Sequence, residues 1–268
     1  MTTRQQLHRT TLSDHKVWGI AEQKLRIFIH QGNVKAEARE SCPNQGYYCG
    51  QCPTSLSNGF CQHRIILQRA RLFNKATIPS RFINATMGAL RQQKSTPSIM
   101  KAITWIDKWC QLDPLPQKGI LLSGPHGAGK SFVMAAVIRW LTLQRGISCL
   151  FAIFGLFLMK VKQRYNTGEN DYELFENLFN ADVLILDDVG SSRNSEWTND
   201  VFKTIIARRY NDCAITFLTT NLSGGLSEEK NENDFSLWAG SHSTSRLNEM
   251  SYWLTFDGPD RRRLSQKI

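Results

Sequence analysis

Short apolar runs alternate with longer amphipathic stretches through the second half of the chain. Gly119–Ser123 (GILLS), Ser148–Phe154 (SCLFAIF), Ala181–Val189 (ADVLILDDV) and Cys213–Thr219 read as buried strands. Between them, Ser131–Leu143, the basic Gly155–Tyr165, the acidic Asp171–Asn180 and Glu196–Tyr210 read as helices. Strand and helix in alternation predict an α/β fold with a mostly parallel sheet covered on both faces. The first half has a different rhythm. Trp18, Ala21, Leu25 and Phe28 or Ile29 fall at helical spacing, which predicts a helix over 14–31 with Asp14 as its N-cap. Gln62–Lys75 predicts a basic helix, with Arg64, Arg69, Arg71 and Lys75 set around Ile65, Ile66, Leu72 and Phe73. Thr77-Ile-Pro-Ser-Arg-Phe82 breaks it. Pro97–Leu112 predicts another helix, carrying Ile99, Ile103, Ile106 and Trp109 or Cys110, and Asp113-Pro-Leu-Pro116 ends it.

The chain has 268 residues, of which 41% are hydrophobic, enough for one large domain or two smaller ones. The pattern divides it into residues 1–76, a linker and helix over 77–116, and an α/β domain over 117–268. No apolar run reaches the roughly 18 residues of a membrane span, and the opening MTTRQQLHRT has no apolar signal core. The expectation is a cytoplasmic protein with no membrane partner. Charge sharpens the division. Residues 1–117 hold 16 Lys and Arg against 6 Asp and Glu, whereas residues 118–268 hold 17 of each. A basic module joined to a neutral one suits an acidic partner, nucleic acid first, or else a solvated basic face.

Candidate chemistry concentrates at two places. Residues 124–131, Gly-Pro-His-Gly-Ala-Gly-Lys-Ser, form a complete G-x-x-x-x-G-K-S/T phosphate-binding loop between a predicted strand and helix. Gly124, Gly127 and Gly129 let the backbone aim N–H groups at phosphate oxygens, with Pro125, His126 and Ala128 between them. Lys130 reaches the β- and γ-phosphates, Ser131 offers a hydroxyl to magnesium, and Phe132 follows in the helix whose dipole faces the nucleotide. The second place is Cys42, Cys49, Cys52 and Cys61 with His63, spaced C-x6-C-x2-C-x8-C-x-H. Its surroundings, rich in Pro, Gly, Asn and Ser, read as a loop over Val34–Gly59 that a zinc ion would hold folded. An iron–sulfur cluster or unconnected thiols are the alternatives, and His63 competes with Cys61 as the fourth ligand. Cys110, Cys149 and Cys213 lie in apolar stretches and read as core residues.

Val183-Leu-Ile-Leu-Asp187-Asp188 is an apolar strand ending in two carboxylates, at the end of a parallel sheet where ligands bind. Asp187 is placed to hold the magnesium ion and Asp188 to polarise the attacking water. Asn221 follows Thr219 and Thr220 at another strand end, where it reaches the γ-phosphate or the lytic water, or simply caps the loop. Arg246 in Ser-Thr-Ser-Arg-Leu (243–247) opens a late helix and is a further phosphate contact. Arg208 and Arg209 either satisfy a helix dipole or act as a finger toward a neighbouring subunit's nucleotide.

The combination of GPHGAGKS (124–131), VLILDDVG (183–190), TTN (219–221) and SRL (245–247) resembles the AAA+ ATPases of the DnaC/DnaI helicase-loader group, which includes the IstB transposition helpers. The cysteine cluster followed by Thr-Ile-Pro-Ser-Arg-Phe also looks like the N-terminal region of zinc-bearing loaders. The resemblance covers roughly residues 42–256. It implies a P-loop NTPase domain with a small helical zinc-binding N-terminal domain, and ATP/ADP, magnesium and zinc as cofactors. It implies that the N-terminal domain docks a hexameric replicative DNA helicase, and that the ATPase domains associate side by side around single-stranded DNA. By the same resemblance Asp187 and Asp188 serve magnesium and water, Asn221 senses the γ-phosphate, and Arg246 is a second sensor. The expected activity is ATP-dependent loading of the helicase. The alternatives are an ATPase helper of transposition acting on duplex DNA and an ATP-switched adaptor with little turnover.

Overall fold

The computed structural model of the chain describes residues 24–39, 62–93, 95–192, 195–223 and 234–264. The predicted helix over 14–31 is not what forms where it can be seen. Leu25–His30 (β1) pairs antiparallel with Asn33–Ala38 (β2). Leu25, Ile27 and Ile29 also fit a period of two, as do Val34, Ala36 and Ala38. The turn between them puts Gln31 at φ 47° and Gly32 at φ 74°, the geometry that joins two twisted strands tightly. Spacing alone allowed both readings; the cross-strand partner decides. The stretch read as a loop from Val34 therefore begins as strand, and Cys42, Cys49, Cys52 and Cys61 lie outside the described residues. Gln62–Lys75 (α1) has the predicted bounds.

Met87–Gln92 (α2) is capped by Thr86, and Pro97–Gln111 (α3) by Thr96, whose hydroxyl accepts from Ile99 N. Gly119–Ser123 (β3) is buried throughout and leads into Lys130–Trp140 (α4). That helix is shorter than expected, because Leu141–Arg145 winds on as a π-helical turn closed by Gly146. There follow Cys149–Ile153 (β4), Phe154–Thr167 (α5), Tyr172–Asn180 (α6), Val183–Val189 (β5) and Glu196–Asn211 (α7). Ile215–Thr220 (β6), Phe235–Ala239 (α8), Ser241–Met250 (α9), Ser251–Thr255 (β7) and Arg261–Leu264 (α10) complete the chain as described. Cys110 and Cys149 are buried, but Cys213 is exposed. It sits at φ 50° in the turn that reverses α7 into β6, so it is no core residue.

The five strands β4-β5-β6-β3-β7 form one sheet, every adjacent pair parallel. Side chains alternate across it. Ile120, Leu122, Phe151, Val183, Ile185 and Phe217 enter one hydrophobic core beneath α3 and α4. Leu121, Leu184, Leu186 and Leu218 enter the other, beneath α5, α7 and α8. The first core does not stop at residue 76. Leu25, Val34, Ala36, Ile66, Ala70 and Phe73 belong to it, so the described part of the N-terminal segment packs into the same interior as the sheet. Polar bonds join its parts to one another and to β4. Asn74 pairs through its side-chain amide with both backbone groups of Ala36. Phe151 N donates to Ala76 O at 2.8 Å, and Thr77 Oγ1 donates to Phe151 O at 2.9 Å, which covers the open edge of β4. No helix among the described residues is long and apolar enough to cross a membrane.

Candidate nucleotide site

The site forms where β3, β5 and β6 end together. Each strand stops in polar residues on the same edge because the sheet is parallel, and β3 turns there into the loop before α4. The loop's glycines answer to specific neighbours. A Cβ on Gly124 would lie 2.0 Å from Phe256 O, and one on Gly127 would lie 1.8 Å from Asp260 Oδ1. Both take positive φ, 143° and 76°. Pro125 and His126 are exposed, Ala128 is buried, and Phe132 is half-buried behind the loop.

Lys130, 6% exposed, is the hub. Its Nζ donates to Gly124 O at 2.6 Å, to Pro125 O at 2.8 Å and to Asn221 Oδ1 at 2.9 Å. Burial draws the ammonium down to about 8, against the opposing pull of Asp188 and Asp187. Asn221 in turn donates Nδ2 to Asp188 Oδ1 at 2.6 Å. Asp187, 1% exposed, accepts from Thr219 Oγ1 at 2.7 Å and from the Ser131 hydroxyl. Burial raises its carboxyl above the usual carboxylate range, while those two donors pull it back. Lys130, Ser131, Asp187, Asp188 and Asn221 are thus one constellation. A buried ammonium suits a polyphosphate. The hydroxyl–carboxylate pair Ser131 and Asp187 is the hard-oxygen donor set that magnesium takes, through water or directly. Asp188, half-buried and facing Asn221, has the free carboxylate lone pairs a water-polarising base needs.

The three candidate arginines have partners outside this constellation. Arg209 is fully buried: Nε donates to Thr216 Oγ1, Nη1 to the carbonyls of Leu178, Phe179 and Ala181, and Nη2 to Ile215 O. It clamps the end of α6 to the start of β6 and does not extend toward a neighbour. Arg208 is exposed and pairs with Asp212 at 3.0 Å along the same helix. Arg246 lies in the middle of α9 rather than opening it. Its guanidinium sits 5.8 Å from the Tyr210 ring, beside the start of β6 and so at the sheet end opposite the phosphate loop.

Instead, the loop is overlaid by the chain after β7. Phe256 N donates to Ser123 O at 2.7 Å and Arg261 N to Gly127 O at 3.1 Å. The Arg261 Nε lies 3.7 Å from where a Cβ on Gly129 would stand, and its Nη2 donates to Ser95 Oγ at 2.6 Å. Burial lowers the Arg261 guanidinium, and the Arg262 charge adds to the lowering of Lys130. In the sequence only the run Arg261–Arg263 hinted at this, with no spacing to link it to the loop. His63 stands in the first turn of α1, half-buried. Among the described residues no group of three or more His, Cys, Asp and Glu side chains is arranged to hold a metal.

Residues 101–230 match the family model described as IstB-like ATP binding protein. The replicative helicase loader DnaC of Escherichia coli (strain K12) is 29% identical over 102 residues, 38% of this chain and 41% of that protein. The replicative helicase loader DnaI of Bacillus subtilis (strain 168) is 30% identical over 107 residues, 40% of this chain and 34% of that protein. The matched part thus spans well under half of these relatives. Among solved structures, the DnaC helicase loader superposes with a TM-score of 0.58 at 26% identity, covering 66% of this chain and 99% of that one. The DnaI structure gives a TM-score of 0.53 at 22% identity, covering 69% and 94%. Over residues 101–230 the chain is therefore similar to the IstB-like ATP binding proteins, with the fold of the DnaC helicase loader and a distant similarity to DnaC and DnaI.

Proposed function

We propose that the chain is an ATP-dependent loader that delivers a hexameric replicative DNA helicase to single-stranded DNA. The observation that supports it most is the Lys130–Asn221–Asp188 chain of hydrogen bonds, set beside the similarity to two helicase loaders. A side chain that touches both the phosphate-neutralising ammonium and the water-polarising carboxylate couples the presence of the γ-phosphate to hydrolysis. ATP and magnesium enter this reading through Lys130, Ser131 and Asp187. Zinc enters it through Cys42, Cys49, Cys52 and Cys61, or His63. The basic N-terminal half is the surface offered to the helicase and to DNA, with ATPase domains associating side by side. Hydrolysis then releases the loader.

A second reading has its own support, since the matching family model is described by its IstB-like members. On that reading the protein assembles on duplex DNA with ATP and activates a transposase. Native mass measurement separates the two. A loader forms a stable complex between the intact chain and the hexameric helicase of its host without DNA. A transposition helper leaves the helicase alone and forms ATP-dependent assemblies on duplex DNA, visible by electron microscopy. In both cases DNA binding weakens steeply with salt, because Lys and Arg displace condensed counterions.

A further inference from the structure

Asp187 and Asp188 are consecutive strand residues, and in a regular strand they would point to opposite faces of the sheet. They do not. The pairing of β5 with β6 runs Leu186 opposite Leu218 and then Val189 opposite Thr220, so β5 carries one extra residue there. The core registers the slip. Val183 and Ile185 lie in one core, and regular alternation would send Val189 with them, but Val189 is buried in the other, with Leu184 and Leu186. The extra residue is taken up by a bulge in which Asp188 adopts φ 61°, a left-handed conformation that aspartate tolerates better than most side chains. The bulge denies Asp188 N its place in the ladder, and Thr219 Oγ1 accepts from it instead at 2.8 Å. The same hydroxyl donates to Asp187 Oδ1 at 2.7 Å. Thr219 is 1% exposed, so no water competes for either bond.

We infer that Thr219 is a positioning residue for hydrolysis, its one hydroxyl setting the bulge that brings both carboxylates to the phosphate loop. The inference rests on the ATPase reading of the site and deepens it. Thr219 is buried and acts through the two aspartates. It fixes Asp187 by donating to it and fixes the backbone of Asp188 by accepting from it. Loss of the hydroxyl leaves Asp188 N buried without an acceptor and frees the bulge to relax toward regular alternation, which turns the Asp188 carboxylate away from Asn221. Residues that orient metal ligands in this way cost about 10–100-fold in metal affinity or activity when removed.

The test uses the intact chain with Thr219→Val, which keeps the shape, and Thr219→Ser, which keeps the hydroxyl. Thr219→Val is expected to lower kcat about 10–100-fold with little change in KM, and to raise the magnesium concentration needed for tight binding of a fluorescent ATP analogue. Binding of the same analogue without magnesium stays as in the unsubstituted chain. Thr219→Ser restores most of the rate and the magnesium requirement. Should the valine variant fail to fold, Thr219→Cys set against Thr219→Ser makes the same comparison, since a thiol is a poor donor and acceptor. Folded Val or Cys variants with unaltered kcat and magnesium requirement overturn the inference, as does a serine variant no better than valine. If the unsubstituted chain binds MgATP but does not hydrolyse it, the ATPase reading falls and the magnesium titration alone decides the role of Thr219.

Discussion

Asn221 donates its side-chain amide to Asp188 Oδ1 at 2.6 Å while its own oxygen accepts from Lys130. The residue therefore ties the charge that grips phosphate to the carboxylate that handles water. Substitutions at the two ends should separate the two tasks. Lys130→Ala removes the cation and is expected to abolish ATP binding in calorimetric titration. Asp188→Asn retains a side chain that tolerates the left-handed backbone and keeps binding, but lowers phosphate release about 100-fold or more, because only the transition state needs the carboxylate. A Lys130→Ala chain that hydrolyses ATP at the unsubstituted rate would refute the assignment.

Arg208 and Arg209 are adjacent in sequence and opposite in role. Arg209→Met takes the guanidinium donors away from four carbonyls and from the Thr216 hydroxyl, most of them buried. The expected loss of stability is about 3 kcal/mol or more. Arg208→Ala removes an exposed helical pair worth about 0–1 kcal/mol. Urea unfolding of both variants measures the difference. Equal midpoints would mean that Arg209 does not clamp α6 to β6.

The shared core bears on any truncation. Removing residues 1–76 deletes Leu25, Val34, Ala36, Ile66, Ala70 and Phe73 from an interior that includes Phe151 and Ile147. The shortened chain is expected to melt well below the intact one and to bind an apolar dye, since each large buried side chain contributes about 1.5–3 kcal/mol. A truncated chain with the melting temperature of the intact protein would show that the ATPase sheet is self-sufficient. Docking by the N-terminal segment is accordingly better tested with surface substitutions, such as Arg26→Glu or Ile29→Ser at exposed positions of β1.

Zinc content is a separate measurement. Protein purified without chelators is expected to carry about one zinc per chain, the stoichiometry of a four-ligand structural site. Cys49→Ser or Cys52→Ser should release it. Metal analysis that finds neither zinc nor iron in the unsubstituted chain would remove the metal from the proposal.

The sequence by itself determined whatever depends on neighbours along the chain. The apolar runs of β3, β4, β5 and β6 are strands because their composition allows burial on both faces, and the loop at 124–131 is legible because its glycines, Lys130 and Ser131 act within eight consecutive positions. The acids ending β5 and the Asn ending β6 follow from parallel strands stopping at one edge. Tertiary structure alone decided whatever depends on contacts between distant segments. Leu25–His30 is strand because β2 lies beside it, although its spacing also fits a helix. Arg209 is structural because three carbonyls of the α6 end converge on it, some thirty residues earlier in the chain. Arg261 reaches the phosphate loop and Arg246 does not, because β7 returns its chain over Ser123 while α9 packs against the far end of α7. Asp188 stands beside Asp187 only through a bulge that a hydroxyl on another strand sustains. Periodicity records which face of its own element a residue occupies. It carries no record of the partner across the sheet that can shift that face by one residue.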